Sequence, residues 1–278
     1  MSKANAIKTF RDLLSFLTII PLGETEDFVE KSARNIFLFP IVGALIGVFA
    51  AAYFFAAGWV FSHLILLGNM VVSLPSVSLQ AAVPAAMTMA FLLIITGFQH
   101  FDGLVDLGNA IGLRRIEDRR EIAHRWIVTY KGALLALVVE LSAVAGLFFL
   151  NLNLAVRALV VAEVCAKVAM VTIVWRGKAS HEGLGARFIR NAKRKLNLAG
   201  YGTAFLIGFA LLGFAGLFEV AFAVLFGLFM VKVADGMFGG VSGDMIGATN
   251  EAARAATLVL VAVTSVLASF LLWGALLL

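Results

Sequence analysis

Twenty-six consecutive residues, Ile36 to Phe61, carry no charge. A run of this length exceeds the roughly 20 apolar residues that cross the hydrocarbon of a bilayer. Backbone amides left unpaired in hydrocarbon are too costly, so such a segment must be a helix or a strand of a closed barrel. The period-two alternation of a barrel is absent, which leaves the helix. Similar runs, some carrying isolated charges, extend over Leu79 to Thr96, Ala133 to Leu150, Leu154 to Val174, Leu198 to Leu217, Val220 to Ala234 and Ala255 to Leu278. The expected fold is therefore all-α, a polytopic transmembrane helical bundle of about seven spans, forming one integral membrane domain over residues 1–278. Only 14% of residues are charged, against about a quarter in a soluble domain, so the bilayer is the expected solvent. Cys165 is the single cysteine and lies inside an apolar run, which excludes a disulfide framework, paired-thiol redox chemistry and a cysteine-rich metal site.

Ahead of these runs, Leu13 to Leu22 has the length of a signal-peptide core. Asp12 and Ser15 interrupt it, however, and no small-residue cleavage site follows. It reads instead as a short interfacial helix that breaks at Pro21-Leu22-Gly23. With seven spans, nineteen of the 22 Lys and Arg fall on the side of the N-terminus, and Arg157, Lys167 and Lys232 lie in or beside spans. The opposite connections Gly68 to Ser78 and Asn151 to Asn153 are uncharged. The positive-inside rule then puts the N-terminus in the cytoplasm of a cell-membrane protein and the C-terminus outside. The surplus of +5 follows from this topology and suits anionic lipid headgroups; it gives no reason to invoke nucleic acid.

Polar chemistry gathers at the cytoplasmic ends of the spans. After the second span comes Thr96-Gly97-Phe98-Gln99-His100-Phe101-Asp102-Gly103-Leu104-Val105-Asp106-Leu107-Gly108-Asn109. Asp102 and Asp106 are four apart, which on a helix stacks both carboxylates on one face, where a bound cation relieves their repulsion. Oxygen donors without cysteine or clustered histidine point to Mg2+ or Mn2+; the plainer alternative is two aspartates solvating a helix end. Between the last two spans lies Asp235-Gly236-Met237-Phe238-Gly239-Gly240-Val241-Ser242-Gly243-Asp244-Met245-Ile246-Gly247-Ala248-Thr249-Asn250-Glu251. Asp244, Asn250 and Glu251 offer further oxygens on the same membrane side, and Asp244 and Glu251, seven apart, share a helix face. Alternatively, the glycines serve tight helix packing, with Asp244 as an N-cap. His100 reads equally as a base, a substrate contact or a structural hydrogen-bonding group.

A basic set follows the first motif (Arg114, Arg115, Arg119, Arg120, Arg125, Lys131) and another follows the fourth span (Arg176, Lys178, Arg187, Arg190, Lys193, Arg194, Lys195). Such cations beside metal-binding carboxylates suit a phosphorylated substrate. Most read as ordinary positive-inside anchors, and Lys131 and Arg176 are singled out as ligand contacts. Within the spans, Glu163 and Lys167 are spaced to pair at i, i+4, Lys232 and Asp235 sit near the cytoplasmic end of the sixth, and Glu140 has no partner visible in sequence.

The two acidic motifs together resemble the paired signature of the cobalamin synthase family, adenosylcobinamide-GDP ribazoletransferase. Phe16-Leu17-Thr18-Ile19-Ile20-Pro21, Phe39-Pro40-Ile41-Val42-Gly43 and Gly183-Leu184-Gly185-Ala186-Arg187-Phe188 add to the likeness, which covers nearly the whole chain. One departure is Asn109, where the family commonly carries a further acid. The resemblance implies a transferase of adenosylcobinamide-GDP and α-ribazole, or its 5′-phosphate, that releases GMP and forms adenosylcobalamin or its phosphate. It implies catalytic roles for Asp102, Asp106, His100 and Asp244, and Mg2+ on Asp102, Asp106, Asp244 and Glu251. Substrate contacts are expected from Lys131, Arg176, Gly243 and Asn250. An oligomer is left open. The rival readings are a CDP-alcohol phosphotransferase or prenyltransferase-like membrane enzyme, and a transporter lined by Glu140, Glu163, Lys167 and Lys232.

Overall fold

A computed structural model describes residues 3–22, 28–73, 75–123, 125 and 127–276. In chain order, the described residues form α1 (Lys3–Leu17), α2 (Phe28–Arg34), α3 (Phe39–Gly68), α4 (Ser76–Ile95), α5 (Gln99–Asn109), α6 (Ile116–Ala123), α7 (Tyr130–Phe148), α8 (Leu152–Arg176), α9 (Leu184–Asn191), α10 (Asn197–Leu212), α11 (Phe214–Phe238) and α12 (Gly243–Leu276). A 3-10 turn, Ile36–Leu38, leads into α3. Six of these helices are long and apolar enough to cross a membrane, and the chain is a multi-pass helical membrane protein.

The expected fifth span, Leu198 to Leu217, is shorter than its hydropathy suggests. Gly213 adopts φ 61°, a left-handed conformation that ends α10, and α11 starts at the next residue. The 16 residues of α10 extend about 24 Å, less than the ~30 Å hydrocarbon core. The final span differs in the other direction. It begins at Gly243 rather than near Ala255, so the second acidic motif runs from the end of α11 through a short connection at 239–242 into the first turns of a membrane helix.

Helix α8 is the axis of the bundle, buried on nearly every side from Ala158 to Val174 and packed against α3, α10, α11 and α12. Close approach of α3 depends on Gly43 and Gly47: a Cβ at either would come within 2.6 Å of the α8 backbone, at Glu163 and Val160 respectively. The outer helices expose apolar surface, including Leu134, Leu137 and Leu141 on α7 and Leu225 and Phe229 on α11. Helices apolar on both faces are expected where lipid is the surrounding solvent. The N-terminal helix α1 buries Leu13, Leu14 and Leu17 and packs against α2 and α3, in keeping with a helix that lies on the bundle instead of crossing it.

Candidate active site

The first acidic motif forms its own short helix because the chain breaks at Thr96–Phe98. Gly97 and Phe98 have φ of 64° and 57°, and a left-handed conformation is strained for a residue as bulky as phenylalanine. The break redirects the chain so that α5 lies across the start of α12. Gly103 makes the crossing: a Cβ there would be 2.3 Å from the Asp244 carbonyl oxygen. The contact carries Asp244 to the face of α5 that presents Asp102 and Asp106.

These three carboxylates line one cavity of about 510 Å³, together with Gln99, Arg125 and the chain around Ile127. Burial, then the negative charges of Asp244 and Asp102, push the Asp106 carboxyl up to about 7. Ser242 Oγ donates to Asp244 Oδ2 (3.3 Å) and accepts from the Met245 amide (3.3 Å). Ser242 therefore caps α12, leaving Asp244 inside the first turn where the helix dipole favours negative charge. Among the described residues, no three His, Cys, Asp or Glu side chains are grouped closely enough to cage a metal ion on their own. The donor set is that of a hard cation held by a few carboxylates and completed by other oxygens.

Asn109 has a structural task. Its Oδ1 accepts from the Thr129 amide (2.9 Å) and hydroxyl (2.8 Å), and its Nδ2 donates to the Ile127 carbonyl (3.0 Å) and, at 3.4 Å, to Asp106. Its side-chain carbonyl is committed to holding the 127–129 segment against α5, where that segment walls the cavity.

Glu251 and Asn250 lie elsewhere. Glu251 is 1% exposed, ion-paired with Arg254, and accepts from Asn250 Nδ2 at 3.0 Å. Asn250 Oδ1 accepts from Lys167 Nζ at 2.6 Å. Lys167 reaches Glu163 at 3.4 Å, as its i, i+4 spacing predicts, and Arg254 bonds Glu163 as well. Glu140 reaches this cluster from α7, beside Glu251 and Arg254. This buried ionic cluster sits deeper along α12 than Asp244. His100 stands between the two regions: its Nδ1 is 3.8 Å from Glu251 Oε1, and burial, then Lys167 and Arg254, hold its imidazole well below the usual histidine range, so it is neutral at pH 7. It lines a second, apolar cavity of about 240 Å³ that Gln99, Gly243 and Gly247 also border.

Most of the basic residues hold the fold. Arg119 and Arg120 donate to the last carbonyls of α11, at Gly236, Met237 and Phe238. Lys193 does the same for α8 at Val174, Trp175 and Gly177, and such cations at helix C-termini offset both the dipole and the orphan carbonyls. Lys131 donates to the Ile111 carbonyl at 2.8 Å. Arg176 borders a separate cavity with Lys232, away from the aspartates. Arg125, paired with Glu121 on the surface, is the cation on the acidic cavity. Sequence reasoning grouped it with the anchors, and its place after the first motif was the signal that could have separated it.

The family model described as cobalamin-5-phosphate synthase matches residues 9–262. Relatives named adenosylcobinamide-GDP ribazoletransferase include one from Methanosarcina barkeri, 29% identical with 91% of each chain covered. Another, from Methanocella arvoryzae, is 30% identical over 91% of this chain and 95% of its own. A third, from Halorubrum lacusprofundi, is 31% identical with the same coverage. No solved structure matches the chain.

Proposed function

The chain belongs to the cobalamin-5-phosphate synthase family, and from that premise we propose that it is a Mg2+-dependent membrane transferase joining adenosylcobinamide-GDP to α-ribazole or its 5′-phosphate. The observation that carries the reading is the convergence of Asp102 and Asp106 from α5 with Asp244 from α12 on one cavity that also presents Arg125. Asp102, Asp106 and Asp244 would hold the ion, and their hard oxygens at the mouth of a membrane bundle fit it. Bound there, Mg2+ would neutralise charge on the diphosphate oxygens.

The protein's own share is positional and electrostatic, as it is in phosphoryl-type transfer generally. Arg125 is placed to grip a phosphate through its planar fork. The 127–129 segment, tied down by Asn109, shapes the wall against which the diphosphate lies. A ribose hydroxyl of the ribazole forms a bond to the phosphorus attached to cobinamide, the bond from that phosphorus to the GMP oxygen breaks, and GMP leaves. The hydroxyl proton passes to a carboxylate of the aspartate cavity. His100 lines the other cavity and, held neutral by the cations behind it, is a weak base. The positive-inside charge bias supports a cell-membrane location with this site on the cytoplasmic face.

The test is GMP release by purified, detergent-solubilised protein given adenosylcobinamide-GDP, α-ribazole and Mg2+, with an EDTA control. Metal-dependent release with matching cobalamin formation is the expected result. Folded protein that binds Mg2+ but yields neither product would defeat the proposal and turn attention to CDP-alcohol and prenyl-diphosphate substrates.

A further inference from the structure

Beside the aspartates lies the apolar cavity of about 240 Å³, below the ~300–1,000 Å³ of sites that take whole drug-sized ligands. It has room for a ring system and not for a nucleotide. Three rings from three distant elements wall it: Phe16 of α1, Phe39 of α3 and Phe188 of α9. Phe16 and Phe188 stack with centroids 5.2 Å apart and planes 11° from parallel, while Phe39 leans on both at 6.3–6.4 Å. Val29, Met170 and Ile246 add apolar lining. The His100 imidazole is on the wall, and its Nδ1 has no hydrogen-bond partner among the described residues. Gln99 borders this cavity and the aspartate cavity alike, and Gly243 on this side adjoins Asp244 on the other.

We infer that this cavity is the subsite for the benzimidazole ring of the ribazole, placed so that its ribose passes Gln99 and its hydroxyl reaches the aspartates. The inference rests on the transferase reading above and names the part of that site which receives the acceptor. The cavity's chemistry selects this ring over the guanine of the donor. Guanine carries several donors and acceptors on its edges, and burying them without partners costs free energy, whereas among the described residues the side-chain polar groups lining the cavity are Gln99 and His100. The benzimidazole of a ribazole has a hydrophobic body and one ring nitrogen free of the sugar, an acceptor that a single imidazole N–H of His100 satisfies. Flat rings also gain from offset or edge contact with phenylalanine.

Two measurements on the solubilised full-length protein test this, one needing turnover and one not. Calorimetric titration with free benzimidazole, and separately with guanosine, should show binding of the first and none of the second. Ile246→Phe, which fills the cavity, should weaken benzimidazole binding and raise the KM for α-ribazole about tenfold or more, with the KM for adenosylcobinamide-GDP within about twofold of wild type. Phe188→Leu, which keeps the site apolar while removing a ring, should do the same by about three- to tenfold; it stands in if the larger replacement does not fold. Guanosine binding in place of benzimidazole, or a rise confined to the KM for the corrinoid substrate, would overturn the assignment. So would wild-type turnover with benzimidazole binding unchanged in both variants, leaving the transferase reading intact. Absence of wild-type turnover would strike the transferase reading, and the titrations would still report on the cavity.

Discussion

Two groups of carboxylates lie along the same helix, and their surroundings set them apart. Near the start of α12, Asp244 faces Asp102 and Asp106, and burial together with their mutual repulsion raises the Asp106 carboxyl to about 7. Two turns further in, Glu251 is fully buried, yet it meets Arg254, and the same arginine and Lys167 answer Glu163. The inner group is closed on itself by charge-assisted hydrogen bonds. The outer group lines a cavity that Arg125 also borders, where a ligand cation can offset the like charges. Carboxylates alone therefore do not mark a metal site; what matters is whether they open onto a cavity that a ligand can enter.

The largest expected effect tests the outer group. Asp102→Asn should lower GMP release by about 10³-fold or more while the protein still elutes as folded from size exclusion. Full activity in that variant would erase the distinction. Next comes the inner group: Arg254→Leu strands Glu251 in the interior, leaves Glu163 with Lys167 alone and should destabilise the fold by about 3–5 kcal/mol, read as a lowered thermal midpoint in detergent. A midpoint unchanged from wild type would mean that the inner charges are not balanced by this arginine. Asn109→Ala, which frees the 127–129 wall of the cavity from α5, should cost about 1–3 kcal/mol and reduce kcat with Asp102 untouched. Proton and cation compete for Asp106, so the Mg2+ requirement should be flat above pH ~7 and rise up to about tenfold per unit below it. A Mg2+ requirement indifferent to pH from 8 to 6 would show that Asp106 does not face the ion. Arg176→Ala, distant from both groups, should change stability by no more than about 0.5 kcal/mol and leave the KM values near wild type.

Much of this arrangement was legible in the order of residues. Charge-free runs located the membrane helices, and the cation bias brought the two acidic motifs to one membrane side before any contact was known. The i, i+4 spacing of Glu163 and Lys167 foretold their pairing. Hydropathy misplaced the start of α12, because Gly243 to Arg254 is polar on the side that packs against α5 and α8 and so dilutes the signal of a span. Helical phase put Asp244 and Glu251 on one face, but seven residues are also about 10 Å of rise, and that distance carries Glu251 down to the buried ionic cluster that Glu163 and Lys167 of α8 share with Arg254. Arg254, which decides its fate, is one turn away on the same helix; its burial and its bond to Glu163, 91 residues earlier, are consequences of packing that no local pattern displays. The aromatic cavity was equally hidden, since Phe16, Phe39 and Phe188 each look like ordinary core until three elements close around them.

Helix α12 runs without interruption from Gly243 to Leu276, so the rod that traverses the lipid is the rod that bears Asp244. The height of this carboxylate is set by wherever the bilayer holds the helix, while Asp102 and Asp106 ride on a short segment attached through the break at Phe98. Sliding the rod by a single residue's rise, about 1.5 Å, would offset Asp244 from the other two aspartates. Lipid thickness is thereby a mechanical input to the geometry of the reaction centre, and turnover in vesicles of graded acyl-chain length becomes a gauge of it.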